Sequence, residues 1–175
     1  FEITLRNVSD VSEVEEKLNQ IKIQGVPNYF GEQRFGHEYK NVEMARAMFN
    51  GKRIKQREKR SIYLSAARSW LFNLTLSSRI EKGLFNQPIA GDCMMLTGSN
   101  SFFCAEAIDD EIESRFASGD IQLSSPMFGA GELASVGEAQ QLENSAVTQE
   151  EALIAGLVKN GLKQQRRAIR LLPQN

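Results

Sequence analysis

The amino-acid sequence predicts an α+β chain, mostly helical with a small antiparallel sheet, and three patterns carry that expectation. Residues 59–82 repeat apolar side chains at three-and-four spacing through Tyr63, Ala66, Ala67, Trp70, Leu71 and Leu74. Two short apolar runs, 92–97 and 101–105, flank a Gly98-Ser99-Asn100 turn and read as a hairpin. Two segments open with the spacing of a helix capping box, Ser12 with Glu15 and Thr148 with Glu151. At 175 residues, 41% hydrophobic and 25% charged, the chain can build one core with an appended segment. No apolar run approaches the roughly 18 residues of a membrane span, and no charged-then-apolar leader opens the sequence.

Taken in order, residues 1–6 alternate apolar and polar side chains and read as a half-buried strand. Residues 11–23 read as a helix with Val11, Val14, Leu18 and Ile21 on one face. Residues 25–36 read as a stiff, irregular loop, because Gly25, Gly31 and Gly36 permit tight left-handed bends and Pro27 fixes one dihedral. Asn41 can cap a short helix with Val42, Ala45, Met48 and Phe49 inward, stopped by Gly51. The helix over 59–82 is expected to be central, with Trp70 and Phe72 as core residues within its periodic pattern. After the hairpin, 109–116 reads as a short helix with Asp109 and Asp110 at its positive end. A strand over 120–124, a loop over 126–131, a helix from Thr148 to about Asn160 and a strand over 166–172 returning towards the hairpin complete the pattern.

The formal net charge of −1 conceals segregation. Residues 1–24 carry −2, 25–83 carry +7, 84–155 carry −11 and 156–175 carry +5. A polyanion would use the positive blocks and avoid the acidic one. Lys52, Arg53, Lys55, Arg57, Lys59 and Arg60 form the densest basic run, suited to RNA-backbone contact. Arg68 sits among small residues and can approach a phosphate, another backbone or an ion-pair partner. The segment 25–36 concentrates Asn28, Tyr29, Phe30, Gln33, Arg34 and Phe35, which can offer stacking faces, amides and a guanidinium to a nucleotide. Its aromatics can equally be core plugs.

Other chemistries are poorly served. Cys93 and Cys104 fit neither a disulfide framework nor a metal spacing and are expected to be reduced, buried thiols. His37 is the lone histidine, which by itself builds no metal site, and it reads as a loop residue able to touch phosphate when protonated. Asp109, Asp110, Glu111 and Glu113 lack the spacing and glycine of a calcium loop. Gly129-Ala130-Gly131 lacks the third glycine of a dinucleotide fingerprint.

The run GVPNYFGEQRFG (25–36), followed by Asn41 after a four-residue gap, resembles the signature of the tRNA pseudouridine synthase D (TruD) family. NVEMARAMFNG (41–51), KRSIYLSAARSWLFN (59–73) and RRAIRLLPQN (166–175) agree with it, and GDCMML (91–96) does so more loosely. The resemblance implies residues 1–24 as a strand-helix remnant of the pseudouridine synthase catalytic domain and 25–175 as the family's insertion domain. It implies a parent enzyme that isomerises uridine at position thirteen of the tRNA D-arm, without metal or organic cofactor, in the cytoplasm. The family's catalytic aspartate lies in a Gly-x-Lys-Asp-type motif, which these 175 residues do not contain.

Under that resemblance Phe1 matches the phenylalanine of an Asn-x-Phe motif and packs on the target base. Asn28, Phe30, Gln33, Arg34 and Phe35 line or brace the cleft, while the basic run and Arg68 hold RNA. The expected partners are tRNA and the catalytic-domain segments outside this chain, with no membrane and no metal. A free-standing RNA-binding or protein-interaction module is the alternative.

Overall fold

The computed structural model describes residues 4–173. A 25-residue helix, α4 (Arg57–Glu81), is the beam around which the other elements pack. Its period of 3.6 places Ala66, Ala67 and Leu71 against a helical layer, where all three are fully buried with Val42, Ala45, Leu153 and Leu157. That layer comprises α2 (Glu32–Phe35), α3 (Lys40–Phe49) and α7 (Glu151–Lys159). The opposite face of α4 buries Phe72 and Leu76 against Met94, Ile121, Leu123 and Ile169 of the sheet side. Helix α4 is therefore apolar on two sides, and each side closes a separate core.

The main sheet has four antiparallel strands in the order β3-β2-β4-β5: β2 (Cys93–Leu96), β3 (Phe102–Cys104), β4 (Ile121–Met127) and β5 (Gln165–Ala168). A second, two-stranded pairing joins β1 (Val26–Pro27) to β6 (Arg170–Leu171). Helix α5 (Asp110–Ala117) starts at Asp109, whose side chain accepts from the Ile112 N–H at 2.9 Å. Helix α6 (Gly137–Ala146) packs on α4 and buries Ala139 and Leu142. The expected α+β architecture, its central helix and its hairpin are all present.

Several local readings are corrected. Helix α1 (Val11–Gln24) is capped by Asp10, which accepts from the Glu13 N–H at 3.1 Å, so Asp10 and Glu13 outcompete Ser12 and Glu15. Its apolar face is not buried in this chain: Val11 and Leu18 are 64% and 48% exposed. Half of the strand expected over 1–6 lies outside the described residues, and Thr4, Leu5 and Arg6 adopt no strand. Asn41 does not cap α3; it donates to the Arg34 carbonyl at 3.2 Å. Pro126 and Met127 belong to β4 rather than to a loop, since β2 has ended before Pro126 and no neighbour there needs its missing N–H. Residues 166–172 split at Ile169, pairing with β4 and β1 instead of the hairpin.

The cysteines are also corrected. The β2–β3 register sets Cys93 directly opposite Cys104, and the two are joined as a disulfide rather than left as thiols.

The charge blocks are not independent in space, because three buried or half-buried ion pairs cross between them. Arg79 donates to both oxygens of Asp92 and to the Leu84 and Gln87 carbonyls, so each nitrogen of its guanidinium has a partner. Arg166 forks onto Glu143 at 2.7 and 3.2 Å, locking α6 to β5. Arg46 forks onto Glu150 at 2.7 Å for each bond, and Glu150 also accepts from Trp70 Nε1 at 3.1 Å. Removing one member of such a pair would leave a buried charge uncompensated, at a cost of roughly 3–5 kcal/mol.

Two outcomes follow from this packing. Gly156→Ala in α7 would ordinarily favour a helix by about 1 kcal/mol, but the added Cβ meets the Phe49 ring. The substitution is expected to lower stability by about 1–3 kcal/mol, read as a lower urea midpoint at unchanged m-value. Burial alone would raise the Glu150 pKa, and the bonds from Arg46 and Trp70 outweigh it, so Glu150 sits below its ordinary value. A depressed carboxylate contributes stability above its unfolded pKa and loses it as pH falls through the folded one. Acidification below pH ~4.5 should therefore weaken the α4–α7 contact and change Trp70 emission, and Glu150→Gln should remove that acid transition.

Candidate nucleic-acid interface

The segment 25–36 is not the irregular loop expected of it. Gly25 has φ +73°, and a Cβ there would lie 2.6 Å from the Leu171 carbonyl oxygen, so glycine permits the chain to draw up to β6. Val26 and Pro27 then pair as β1, while Glu32–Phe35 forms one helical turn ended by Gly36 at φ +75°. Gly31 has an ordinary φ of −72°. Left-handed backbone occurs instead at Glu38 and Tyr39, with φ of 52° and 59°.

Side-chain amides hold this segment down. Asn28, 7% exposed, donates from Nδ2 to the Ala168 carbonyl at 2.8 Å, and its Oδ1 accepts from Arg167 Nη2 at 2.7 Å. Asn73 of α4 grips Phe30 at both backbone groups: its Oδ1 accepts from the Phe30 N–H at 3.0 Å, and its Nδ2 donates to the Phe30 carbonyl at 2.9 Å. The Phe30 ring stands edge-on to Phe72 at 5.6 Å. Two guanidiniums face it, Arg167 at 4.2 Å and Arg34 at 5.6 Å from the ring centroid. Arg34 is exposed and donates to Ser65 Oγ at 2.9 Å.

Among the described residues, no carboxylate pairs with this cluster. Among the described residues, Arg34, Arg68, Arg167 and Arg170 enter no ion pair, in contrast to Arg46, Arg79 and Arg166. Burial pushes the Arg167 pKa down, and the positive charge of Arg34 adds to that shift. Burial likewise lowers Arg68 and Arg170. Arginine remains protonated regardless, so these groups hold uncompensated positive charge in a partly desolvated setting. That arrangement favours an anion.

The sequence-derived candidates fall into distinct places. Phe30, Gln33 and Arg34 line one concavity of about 540 Å³ with Tyr29, Asn41 and Ile62. Asn28 joins them indirectly through Arg167. Phe35 lies beneath, 3% exposed and edge-on to Trp70 at 5.8 Å, where it braces the turn from the core. Phe1 lies outside the described residues. Arg68 is placed otherwise: it donates to the Met127 and Lys163 carbonyls, which makes it a clamp between α4 and the β4–β5 end. His37 is exposed.

Lys52, Arg53, Lys55 and Arg60 line a second concavity, of about 810 Å³, closed on its far side by Lys159 and Asn160 at the end of α7. Arg57 and Lys59 are exposed on the first turn of α4, which has no side-chain cap. Cations at a helix N-terminus oppose the macrodipole, a local conflict that a bound phosphate would relieve. Sequence reasoning missed Arg167, Asn73 and Lys159 as members of these surfaces. Arg167 and Lys159 belong to the +5 block, but neighbouring Arg166 does too, and nothing in the local pattern separates the buried fork from the half-exposed one.

Comparison with known proteins decides the family. Residues 1–56 and 53–173 match the family described as tRNA pseudouridine synthase D (TruD). The chain belongs to the TruD family. It is 51% identical over 174 residues to tRNA pseudouridine synthase D of Aeromonas hydrophila, covering 99% of this chain and 49% of that protein. The proteins of the same name from Shewanella oneidensis and Pseudoalteromonas atlantica are 45% and 43% identical, with 99% and 100% of this chain and 47% and 51% of theirs covered. The chain thus spans about half the length of these relatives. A crystal structure from Methanosarcina mazei, assigned by name to TruD, shares the fold at a TM-score of 0.68 and 17% identity, over 97% of this chain and 58% of that one.

If the basic run carries the contact, four engaged cations predict a log–log salt slope on the order of −3 for single-stranded RNA. Reversing Lys55 and Arg57 to glutamate should flatten the slope and weaken binding without lowering the melting temperature, since a glutamate at the start of α4 suits the helix dipole. Affinity that is insensitive to salt would contradict this assignment of the run.

Proposed function

We propose that this chain is the RNA-positioning portion of a tRNA pseudouridine synthase that converts uridine to pseudouridine at position thirteen of the D-arm. The carrying observation is the pair of carboxylate-free guanidiniums, Arg34 and Arg167, set about Phe30 in a segment bearing the family signature. In this reading residues 25–175 form the insertion domain, and residues 1–24 pack with the rest of the catalytic domain. The exposed Val11 and Leu18 on one face of α1, with Leu5 and Ile23 exposed beside it, support that docking, since a helix made only for water has no need of such a face. The nucleophile is an aspartate supplied from outside these residues, in the cytoplasmic parent enzyme.

The division of labour follows from the chemistry. Reaching a stacked uridine requires flipping it out, at a cost of a few kcal/mol. Phosphate contacts fix register and orientation before any base is read. Lys52, Arg53, Lys55 and Arg60 hold backbone at one end of α4, and Arg34 with Arg167 holds it near the signature segment. Asn28 and Asn73 keep Phe30 in place so that the ring and the two cations act as one rigid surface.

The isolated chain incubated with unmodified tRNA should form no pseudouridine, and any turnover would refute the assignment of the nucleophile elsewhere. In the complete enzyme, Arg34→Ala should lower kcat/KM by at least about tenfold, equivalent to ~1.4 kcal/mol, while leaving thermal stability nearly unchanged. Equal losses of activity and stability would return Arg34 to a structural role.

A further inference from the structure

Beside the Arg34 concavity, and sharing Tyr29, Phe30 and Gly31 with it, lies a smaller recess of about 270 Å³. Its walls include Tyr29, Phe35, Tyr39 and Trp70, with Glu32 also contributing. Phe35 is core, but Tyr29 and Tyr39 are 40% and 49% exposed, which a packing cluster does not require. Both rings are nonetheless fixed. The Tyr29 hydroxyl is 2.9 Å from Ser77 Oγ. Tyr39 is aimed by two consecutive left-handed residues, Glu38 and Tyr39, and its ring stands edge-on to Trp70 at 5.5 Å and 6.0 Å from Phe35. Left-handed backbone at non-glycine residues is costly and gathers where a side chain must be presented.

We propose that this recess takes one unpaired nucleobase of the bound RNA, whose phosphate lies at Arg34. The inference rests on the RNA reading above and specifies a subsite for it. The volume is below the roughly 300–1,000 Å³ of drug-sized pockets and is ample for one base. Flat aromatic walls suit any base, because every base has a π-face. Glu32 repels phosphate and accepts hydrogen bonds, so it favours the N–H-bearing edge of a base over the backbone. The recess and the cationic concavity therefore divide one nucleotide between them, ring on one side of the Phe30–Gly31 rim and phosphate on the other.

Trp70 is the single tryptophan of the chain and reports on the recess directly. At neutral pH, the 175-residue chain would be titrated with a short single-stranded RNA and with an abasic RNA of the same length, following affinity and Trp70 emission. The base-bearing RNA should bind about tenfold more tightly and quench Trp70, whereas the abasic RNA should bind without quenching. Tyr39→Asn, which removes the ring yet suits a left-handed backbone, should abolish the difference and leave abasic affinity unchanged. Equal, salt-sensitive binding of both RNAs by the unsubstituted chain would overturn the base subsite and leave the RNA reading standing. Failure of both RNAs to bind would overturn the two together.

Discussion

The grip of Asn73 on both backbone groups of Phe30 is the constraint on which the candidate site depends. A residue held at its N–H and its carbonyl behaves as though paired in a sheet, although its partner is a helix side chain. Each such bond contributes only about 1 kcal/mol net. Their value lies in orientation: with Phe30 fixed to α4, and Asn28 fixed to the Ala168 carbonyl and to Arg167, the signature segment cannot slide relative to β5. Arg167 and Arg34 can then converge on one ring. Asn73→Ala would orphan both Phe30 groups and loosen every feature downstream of them.

Helix α4 makes that convergence possible because it is buried on two sides and still exposes both ends of its polar face. Ala66 and Ala67 let the helical layer approach closely, and Phe72 and Leu76 seat the sheet. The charges sort by the same geometry. Arg79, Arg166 and Arg46 reach carboxylates of the acidic block and serve as struts. Arg34 and Arg167 reach none, and the run from Lys52 to Arg60, with Glu58 its one acidic residue, stays in water, so positive charge is in excess on both faces.

Much of this was legible in the sequence where a pattern is long or local. The 3.6-residue period of α4 spans seven turns and locates the helix to within about two residues at its start, and the Gly98-Ser99-Asn100 turn locates the hairpin. Short elements were less so. Helix α6 opens on Gly137 without a side-chain cap and carries few apolar residues, leaving little periodicity to detect. The Cys93–Cys104 bond depends on hairpin register, which two short strands do not specify. At the site, residue types singled out Phe30 and Arg34, which the fold sets 5.6 Å apart, but the distinct fates of Arg68, Arg166 and Arg167 are set by tertiary partners more than 20 residues away, which no local pattern encodes.

Adjacent Arg166 and Arg167 therefore offer the sharpest discrimination, since one is a strut and the other faces Phe30. The decisive measurement is the affinity of the chain for unmodified tRNA as a function of salt, alongside the melting temperature, for Arg166→Gln and Arg167→Gln. The account predicts that Arg167→Gln weakens binding and reduces the magnitude of the salt slope by about 1, with a smaller fall in melting temperature than Arg166→Gln causes. It predicts that Arg166→Gln lowers the melting temperature, having broken a buried pair worth roughly 3 kcal/mol or more, while the salt slope stays as it was. An equal fall in melting temperature and an unchanged slope for Arg167→Gln would contradict the account.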